Sequence, residues 1–312
     1  MVQFSFFTTM HTDLGQRSLE DVAGIMGQQL RALGHQAVLD PRNAKVETAV
    51  FLHGRDGINI LVEGFTSPWV EVIARARAWG ARFLILATEE PTPKGFNWGT
   101  QKEMVARQEI FPEAAKHCDG ILHLVPGEHV TKWYSQFCPA AQAELGYAPA
   151  LMRTAGPPPE YEFGFYGSGT PRRLKILKHL AKMTPSVKAV KLMFDFKTQA
   201  ERDATMKQCK VILQIRKFEA MGLVSSSRCN TSLMLGRPVV AEPHDLIKPW
   251  DEVIDFASSM DDFYARALMT RAAWKGIWAK QVERFKIKMS PAFCVGEPLR
   301  RIGIFDQAKA AA

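Results

Sequence analysis

Residues 164–180 read GFYGSGTPRRLKILKHL, and this stretch decides the fold of the second half of the chain. The apolar run that ends at Tyr166 is typical of a buried strand, and Gly167 and Gly169 allow a sharp turn with close backbone approach. Thr170 is a favourable N-cap, and the proline after it suits the first position of a helix. The stretch therefore predicts a strand, a tight turn and a helix, which is the building unit of parallel α/β sheets.

The start of this predicted helix suits a bound anion, because its first amide groups are unpaired and the helix dipole is positive there. Arg172 and Arg173 fall in that first turn, where the dipole disfavours cations. Their position favours an anion-binding site built from Gly167, Ser168, Gly169, Thr170, Arg172 and Arg173. The alternative is a capped helix whose arginines are solvated. We expect both arginines to be exposed, so that replacing either one lowers anion affinity and leaves folding unchanged.

The glycine turn can be compared with two known nucleotide motifs. GSGTPR lacks the third glycine of GxGxxG, although Asp195 follows a second predicted strand 26 residues after Gly169, where a dinucleotide enzyme holds ribose. No GxxxxGK[ST] sequence is present, which excludes a P-loop. An NAD-dependent dehydrogenase remains a weaker alternative.

A second polar cluster follows the predicted strand KVILQIR (210–216), which ends at Arg216. The sequence SSSRCNTSLMLGRPVVAEP (225–243) places hydroxyl, amide and guanidinium groups at the start of a short helix. Such groups suit a polyphosphate or a ribose. The candidates are Arg216, Ser226, Ser227, Arg228, Asn230 and Thr231, and His244 is a further candidate for a donor contact. The alternative is a serine-rich loop that only caps its helix.

Strands and helices alternate along both halves of the chain, which predicts an α/β fold with two Rossmann-like, doubly wound parallel sheets. MRTAGPPPE (152–160) cannot continue a helix or a sheet and predicts the boundary. The predicted domains are 1–155 and 156–288, with a C-terminal tail at 289–312. Residues 262–287 are predicted to form one long helix.

Composition bounds the class of protein. The first 156 residues carry 14 basic and 16 acidic side chains, whereas the remainder carries 26 and 16, so the basic surplus lies in the second half. Such a surplus suits a phosphate ligand, a nucleic acid or an anionic membrane surface. The five cysteines show no CxxC spacing, which indicates reduced thiols in a cytoplasmic protein. The first residues predict a strand rather than a signal peptide, and no apolar run is long enough to span a membrane.

Three segments carry a resemblance to a known family: YGSGTPRRLKIL (166–177), SSRCNTSLMLGRPVVAEP (226–243) and WDEVIDFASSMDDFYARA (250–267). Together they resemble the donor half of GT-B glycosyltransferases, in particular the bacterial family 1-like enzymes and the spore-protein CgeB-like group. The resemblance covers roughly residues 160 to 288. Asn230 and Ser232 stand where retaining members of the family carry acidic residues, so the ribose contact and the stereochemistry are left open.

The resemblance implies sugar transfer from a nucleotide-diphosphate sugar to an acceptor hydroxyl, as in polysaccharide or glycoconjugate biosynthesis. It places the donor in the C-terminal domain and the acceptor, a glycan, a lipid-linked molecule or a protein, in the N-terminal domain, to which the C-terminal helix returns. We expect no metal, no cofactor and no nucleic acid partner, while peripheral membrane contact stays open. A non-catalytic nucleotide- or sugar-binding protein of GT-B shape is the main alternative.

Transfer requires a group that accepts the proton of the acceptor hydroxyl. His11 and Asp13 follow the first predicted strand, at the edge where open α/β sheets build their sites. Glu90, next to Glu89, holds the equivalent position after the strand RFLILAT. We predict His11, Asp13 and Glu90 as catalytic candidates, and Glu63, at the end of another strand, as a weaker one.

Overall fold

The computed structural model describes residues 1–8, 13–63, 66–96, 101–219, 222–245 and 247–305, without the side chains of Asp13, Leu14 and Gln101. The chain divides into two compact units, which we call unit 1 (Met1–Ala148 with Pro291–Ala312) and unit 2 (Pro149–Ser290). The division lies shortly before the proline-rich stretch at which the sequence placed it. The amide of Arg153 donates to the Met234 carbonyl at 2.8 Å, which fixes the segment after Ala148 to unit 2.

Unit 1 is built on a six-stranded sheet with the order β2-β1-β3-β4-β7-β8, whose paired strands are parallel. The strands are β1 Gln3–Thr8, β2 Gln36–Leu39, β3 Gly57–Val62, β4 Phe83–Ala87, β5 Pro91–Thr92, β6 Gly95–Phe96, β7 Gly120–His123 and β8 Ala140–Gln142, with β5 and β6 forming a separate antiparallel pair. The helices are α1 Asp13–Ala32, α2 Ser67–Ala78, α3 Gln101–Ala115 and α4 Glu128–Tyr134. Every residue of β3 and β4 is buried, which explains their continuous apolar sequences.

Unit 2 carries a four-stranded parallel sheet with the order β10-β9-β11-β12. Its strands are β9 Tyr161–Tyr166, β10 Val190–Met193, β11 Cys209–Gln214 and β12 Val239–Ala241. Its helices are α5 Pro171–Met183, α6 Gln199–Lys207, α7 Ser226–Met234, α8 Met260–Ala272 and α9 Trp274–Lys288. Phe163, Phe165, Leu180, Val211 and Phe263 are fully buried in its core. The predicted α/β fold with two parallel sheets is confirmed.

The predicted single helix over 262–287 is wrong, because the chain breaks at Ala273, whose φ of −120° and ψ of 27° are not helical. The helices on the two sides of this break, α8 and α9, pack against different elements. Helix α8 contacts β11 and β12, whereas α9 contacts α7, where the indole of Trp278 donates to the Leu233 carbonyl at 2.9 Å. Tertiary packing therefore overrides a helical pattern that runs through the break.

The last described segment belongs to unit 1, as the resemblance implies for the C-terminal helix. It contains a π-helical turn, Ala292–Gly296, and the short helix α10, Glu297–Arg301. The amide of Glu144 donates to the Cys294 carbonyl at 3.0 Å and ties this segment to the end of the unit 1 sheet. Within the described ranges, no helix has both the length and the apolar character that crossing a membrane would require.

Candidate functional site

The predicted glycine turn lies at the carboxyl end of β9 and leads directly into α5. Gly167 has a φ of +127°, which side chains rarely tolerate, and the Thr170 hydroxyl accepts from the Arg173 amide at 3.3 Å as the N-cap. The amides of Ser168, Gly169 and Thr170 donate to no group in the described part of the chain. Three successive amide donors are therefore available to an anion.

Arg228 is one of two arginines that lie against this turn, the other being Arg173. Its Nε donates to the Tyr166 carbonyl at 3.1 Å, and its Nη1 donates to Gln214 Oε1 at 2.5 Å. The remaining nitrogen, Nη2, has no acceptor among the described residues, and a Cβ built on Gly167 would lie 2.7 Å from it. The guanidinium is thus fixed by two bonds while its third nitrogen is directed at the turn.

Arg173 is not the exposed side chain that the sequence led us to expect. It is 6% exposed, and its guanidinium donates to the Ile215 carbonyl at 2.8 Å and to the Ser168 carbonyl at 2.8 Å. Burial, and then the charge of Arg228, lower the pKa of Arg173 to about 9. The expectation fails because β11 ends beside the first turn of α5 and presents unpaired carbonyls to it. Arg173 clamps the turn to β11.

Arg172 is only partly exposed and binds within the protein, which corrects the expectation of an exposed side chain. It forms a two-bond ion pair with Glu242, with Nη1 to Oε1 at 2.9 Å and Nη2 to Oε2 at 2.5 Å. Glu242 is fully buried, and Arg216 Nε lies 3.8 Å from its Oε1. Asp245 Oδ2 also lies 3.9 Å from Arg216 Nη1, so two carboxylates lie near four arginines. We call Arg172, Arg173, Arg216 and Arg228 the arginine cluster. The cluster keeps an excess of positive charge.

The remaining predicted donor residues lie in α7. Ser226 and Ser227 occupy its first turn, and Ser226 Oγ accepts from the Trp250 indole at 3.0 Å. Asn230 and Thr231 are 1% and 7% exposed, in a part of the helix where every residue is buried. The sequence missed Gln214 and Glu242 as parts of the site, although a lone amide in the apolar strand KVILQIR was a signal for the first.

Unit 1 holds a pair of buried glutamates at the carboxyl ends of β3 and β4. Glu63, with a left-handed φ of +57°, accepts from the Thr88 amide. Arg107 of α3 places Nη1 2.6 Å from Glu89 Oε1 and 3.9 Å from Glu63 Oε2. The second oxygen of Glu89 has no hydrogen-bond partner among the residues that the structure describes. Two carboxylates thus share one guanidinium in the interior.

This arrangement favours a protonated carboxyl group at neutral pH in the pair of Glu63 and Glu89. Burial, and then the charge of Glu63, raise the pKa of Glu89 to about 8, and burial raises the pKa of Glu63. The predicted catalytic residue Glu90 is instead partly exposed, with Oε1 3.4 Å from His129 Nε2. His11 lies outside the described residues, and Asp13 is the first residue of α1, with its side chain outside them. Their catalytic roles stay predictions.

We expect the wild type to lose stability as the pH rises, and we expect Glu89→Gln to remove the part of this loss that comes from Glu89. The pKa of Glu89 is about 8 in the folded protein and is lower in the unfolded chain, so the folded state holds this proton more tightly. The stability that comes from the proton is therefore complete at low pH and is lost as the pH rises through 8. Burial lowers the pKa of His123 and of His244, which act in the opposite direction below about pH 6.5. Titration of Glu89 should therefore lower the unfolding free energy of the wild type by about 2 kcal/mol between pH 6.5 and pH 8.

Urea unfolding at the two pH values tests this expectation. Glu113, an exposed residue of α3, supplies the control, because Glu113→Gln removes a carboxylate from the helix that carries Arg107 without touching the buried pair. A Glu89→Gln variant that keeps the full pH dependence of the wild type would contradict the assignment of a retained proton.

Comparison with known structures identifies the architecture. The glycosyltransferase AviGT4, involved in avilamycin A biosynthesis, superimposes with a TM-score of 0.55 at 10% identity, over 100% of this chain and 99% of its own. OtsA in its apo form gives 0.55 at 10% identity, over 96% and 99%. The chain has the GT-B fold. No protein-family model and no curated protein sequence matches it.

Proposed function

We propose that the protein is a glycosyltransferase that binds the diphosphate of a nucleotide sugar at the glycine turn of unit 2. The observation that carries this proposal is Arg228 Nη2, which faces Gly167 beside the three available amides of residues 168–170. Backbone amides and a guanidinium fork are the donors that phosphate oxygens bind best. The sugar then passes to a hydroxyl of an acceptor bound by unit 1.

The charge balance of the arginine cluster supports the proposal. Glu242 is engaged with Arg172 and lies close to Arg216, which leaves Arg173 and Arg228 without a carboxylate partner among the described residues. Buried cations are normally paired. A diphosphate at the turn supplies that missing negative charge.

The same donors account for the chemistry that we propose. In the transfer, the bond between the anomeric carbon and the diphosphate oxygen breaks, and its electron pair leaves with the diphosphate. The acceptor oxygen bonds to the anomeric carbon and gives up its proton. Arg228, the three amides and the dipole of α5 stabilise the charge that develops on the leaving diphosphate. We propose that they do so without a divalent metal, and His11, Asp13 and Glu90 remain the candidates for receiving the proton.

Calorimetry with UDP, GDP, ADP, CDP and dTDP tests the donor site, and Arg228→Gln is the decisive variant. We expect it to weaken binding of the preferred nucleotide by about 10- to 100-fold, because one charge-assisted contact to phosphate is worth roughly 1.5 to 3 kcal/mol. Lys178→Gln is the matched control, since it removes an exposed cation from α5 of the same unit. Arg228→Lys keeps the charge and should restore only part of the affinity.

Three results separate the alternatives. The proposed donor site is rejected if the wild type binds none of the five nucleotides. Nucleotide binding without hydrolysis or transfer of any sugar from the matching nucleotide sugar would support the non-catalytic alternative. A thermal shift with NADH and none with the nucleotides would support the dehydrogenase alternative, in which the exposed Asp195 at the end of β10 would hold the ribose.

A further inference from the structure

A chain of hydrogen bonds runs from Arg228 through Gln214 to His244, and its directions follow from chemistry. Gln214, the last residue of β11, is 2% exposed. Its atom 2.5 Å from Arg228 Nη1 must be the amide oxygen, because a guanidinium only donates. Its amide nitrogen therefore faces His244 Nε2, at 3.4 Å. That nitrogen only donates, so His244 Nε2 must accept.

The other ring nitrogen of His244 completes the chain. Nδ1 lies 2.7 Å from the Glu242 carbonyl oxygen, which only accepts, so Nδ1 carries the proton. His244 is therefore held as the neutral Nδ1–H tautomer by partners on both sides. Burial lowers the pKa of His244 and outweighs Glu242, whose carbonyl and charge raise it, while the charges of Arg216 and Arg228 lower it further. A neutral imidazole at pH 7 agrees with the geometry.

We propose that Gln214 and His244 are positioning residues for nucleotide binding, which hold the Arg228 guanidinium with Nη2 directed at the Gly167 turn. The inference rests on the proposed function of that turn. Without Gln214, the Tyr166 carbonyl is the only acceptor among the described residues that anchors Arg228, and one bond does not fix the plane of a guanidinium. Without His244, the amide of Gln214 loses the partner that orients it.

Binding of UDP and GDP to variants of these two residues provides the first test. Gln214→Leu is similar in size and removes the acceptor for Arg228, so affinity should fall by about 10-fold. His244→Leu should cause a smaller loss. His244→Gln can place an amide oxygen near the position of Nε2 and should restore most of the affinity. A purely structural role would give no such rescue, and equal affinities in the wild type and both leucine variants would overturn the inference.

The tautomer of His244 gives a second test that needs no ligand. Nitrogen NMR of the protein at pH 7 should show a protonated Nδ1 and an unprotonated Nε2, with the resonance assigned by its loss in His244→Gln. Gln214→Glu turns a carboxylate oxygen toward Nε2 and should convert His244 to the imidazolium. An Nε2–H tautomer in the wild type would overturn the inference even if Gln214→Leu failed to fold.

The two proposals fail in different ways. A wild type that binds no nucleoside diphosphate contradicts the proposed function. Nucleotide binding that is insensitive to Gln214 and His244 contradicts only the positioning role.

Discussion

Gly167→Ala should reduce nucleotide affinity by at least about 100-fold, the largest effect we expect of any single substitution in unit 2. The added Cβ would lie 2.7 Å from Arg228 Nη2, which is closer than a Cβ carbon approaches another non-bonded heavy atom. The residue also has a φ of +127°, where alanine is strained by roughly 1 to 3 kcal/mol. Either the turn or the guanidinium must move, and both belong to the proposed phosphate site.

Gly276→Ala is the matched control for this substitution. Gly276 lies in α9 of the same unit, and a Cβ there meets nothing within 4 Å. Gly276 is the third residue of α9, so alanine there should stabilise the protein by at most about 0.5 to 1 kcal/mol and leave affinity unchanged. Calorimetric titration and melting temperature of both variants are the measurements. If Gly167→Ala bound nucleotide with wild-type affinity, the turn would not be part of the binding site.

Arg173→Ala should destabilise unit 2 by about 3 kcal/mol, contrary to what the sequence led us to expect. The substitution leaves the carbonyls of Ile215 and Ser168 without their charged donor in the interior. It also removes a guanidinium that lies 5.0 Å from the centre of the Phe165 ring. Arg173 therefore stabilises the turn. Any loss of nucleotide affinity in Arg173→Ala would come from the altered turn rather than from a lost contact to phosphate.

Lys175→Ala, two residues later on the exposed side of α5, controls for loss of a cation and should change stability by less than about 0.5 kcal/mol. Urea unfolding followed by tryptophan fluorescence measures both variants. If Arg173→Ala had the same unfolding free energy as the wild type, the hydrogen bonds of Arg173 to Ile215 and Ser168 would not stabilise the protein.

Local sequence was sufficient for the parts of the proposed donor site that depend on neighbouring residues. The strand that ends at Tyr166, the glycine turn, the Thr170 cap and the start of α5 were all predictable, because each follows from the preferences of adjacent residues. The short strand β8 and the break at Ala273 were not predictable. Both depend on which distant elements the chain packs against.

Periodicity, turn chemistry and charge are local properties, so they were enough to predict the α/β fold, the basic character of the second half and the place of the glycine turn. Which arginine keeps a nitrogen without an acceptor near the turn, among the described residues, depends on tertiary contacts. Arg172 and Arg173 adjoin the turn in sequence but are bound by Glu242 and by the carbonyl of Ile215. Arg228 comes from a distant helix, and β11 supplies the amide that orients it. A guanidinium donates to whichever acceptors the fold brings within reach, and those acceptors come from strands far apart in sequence.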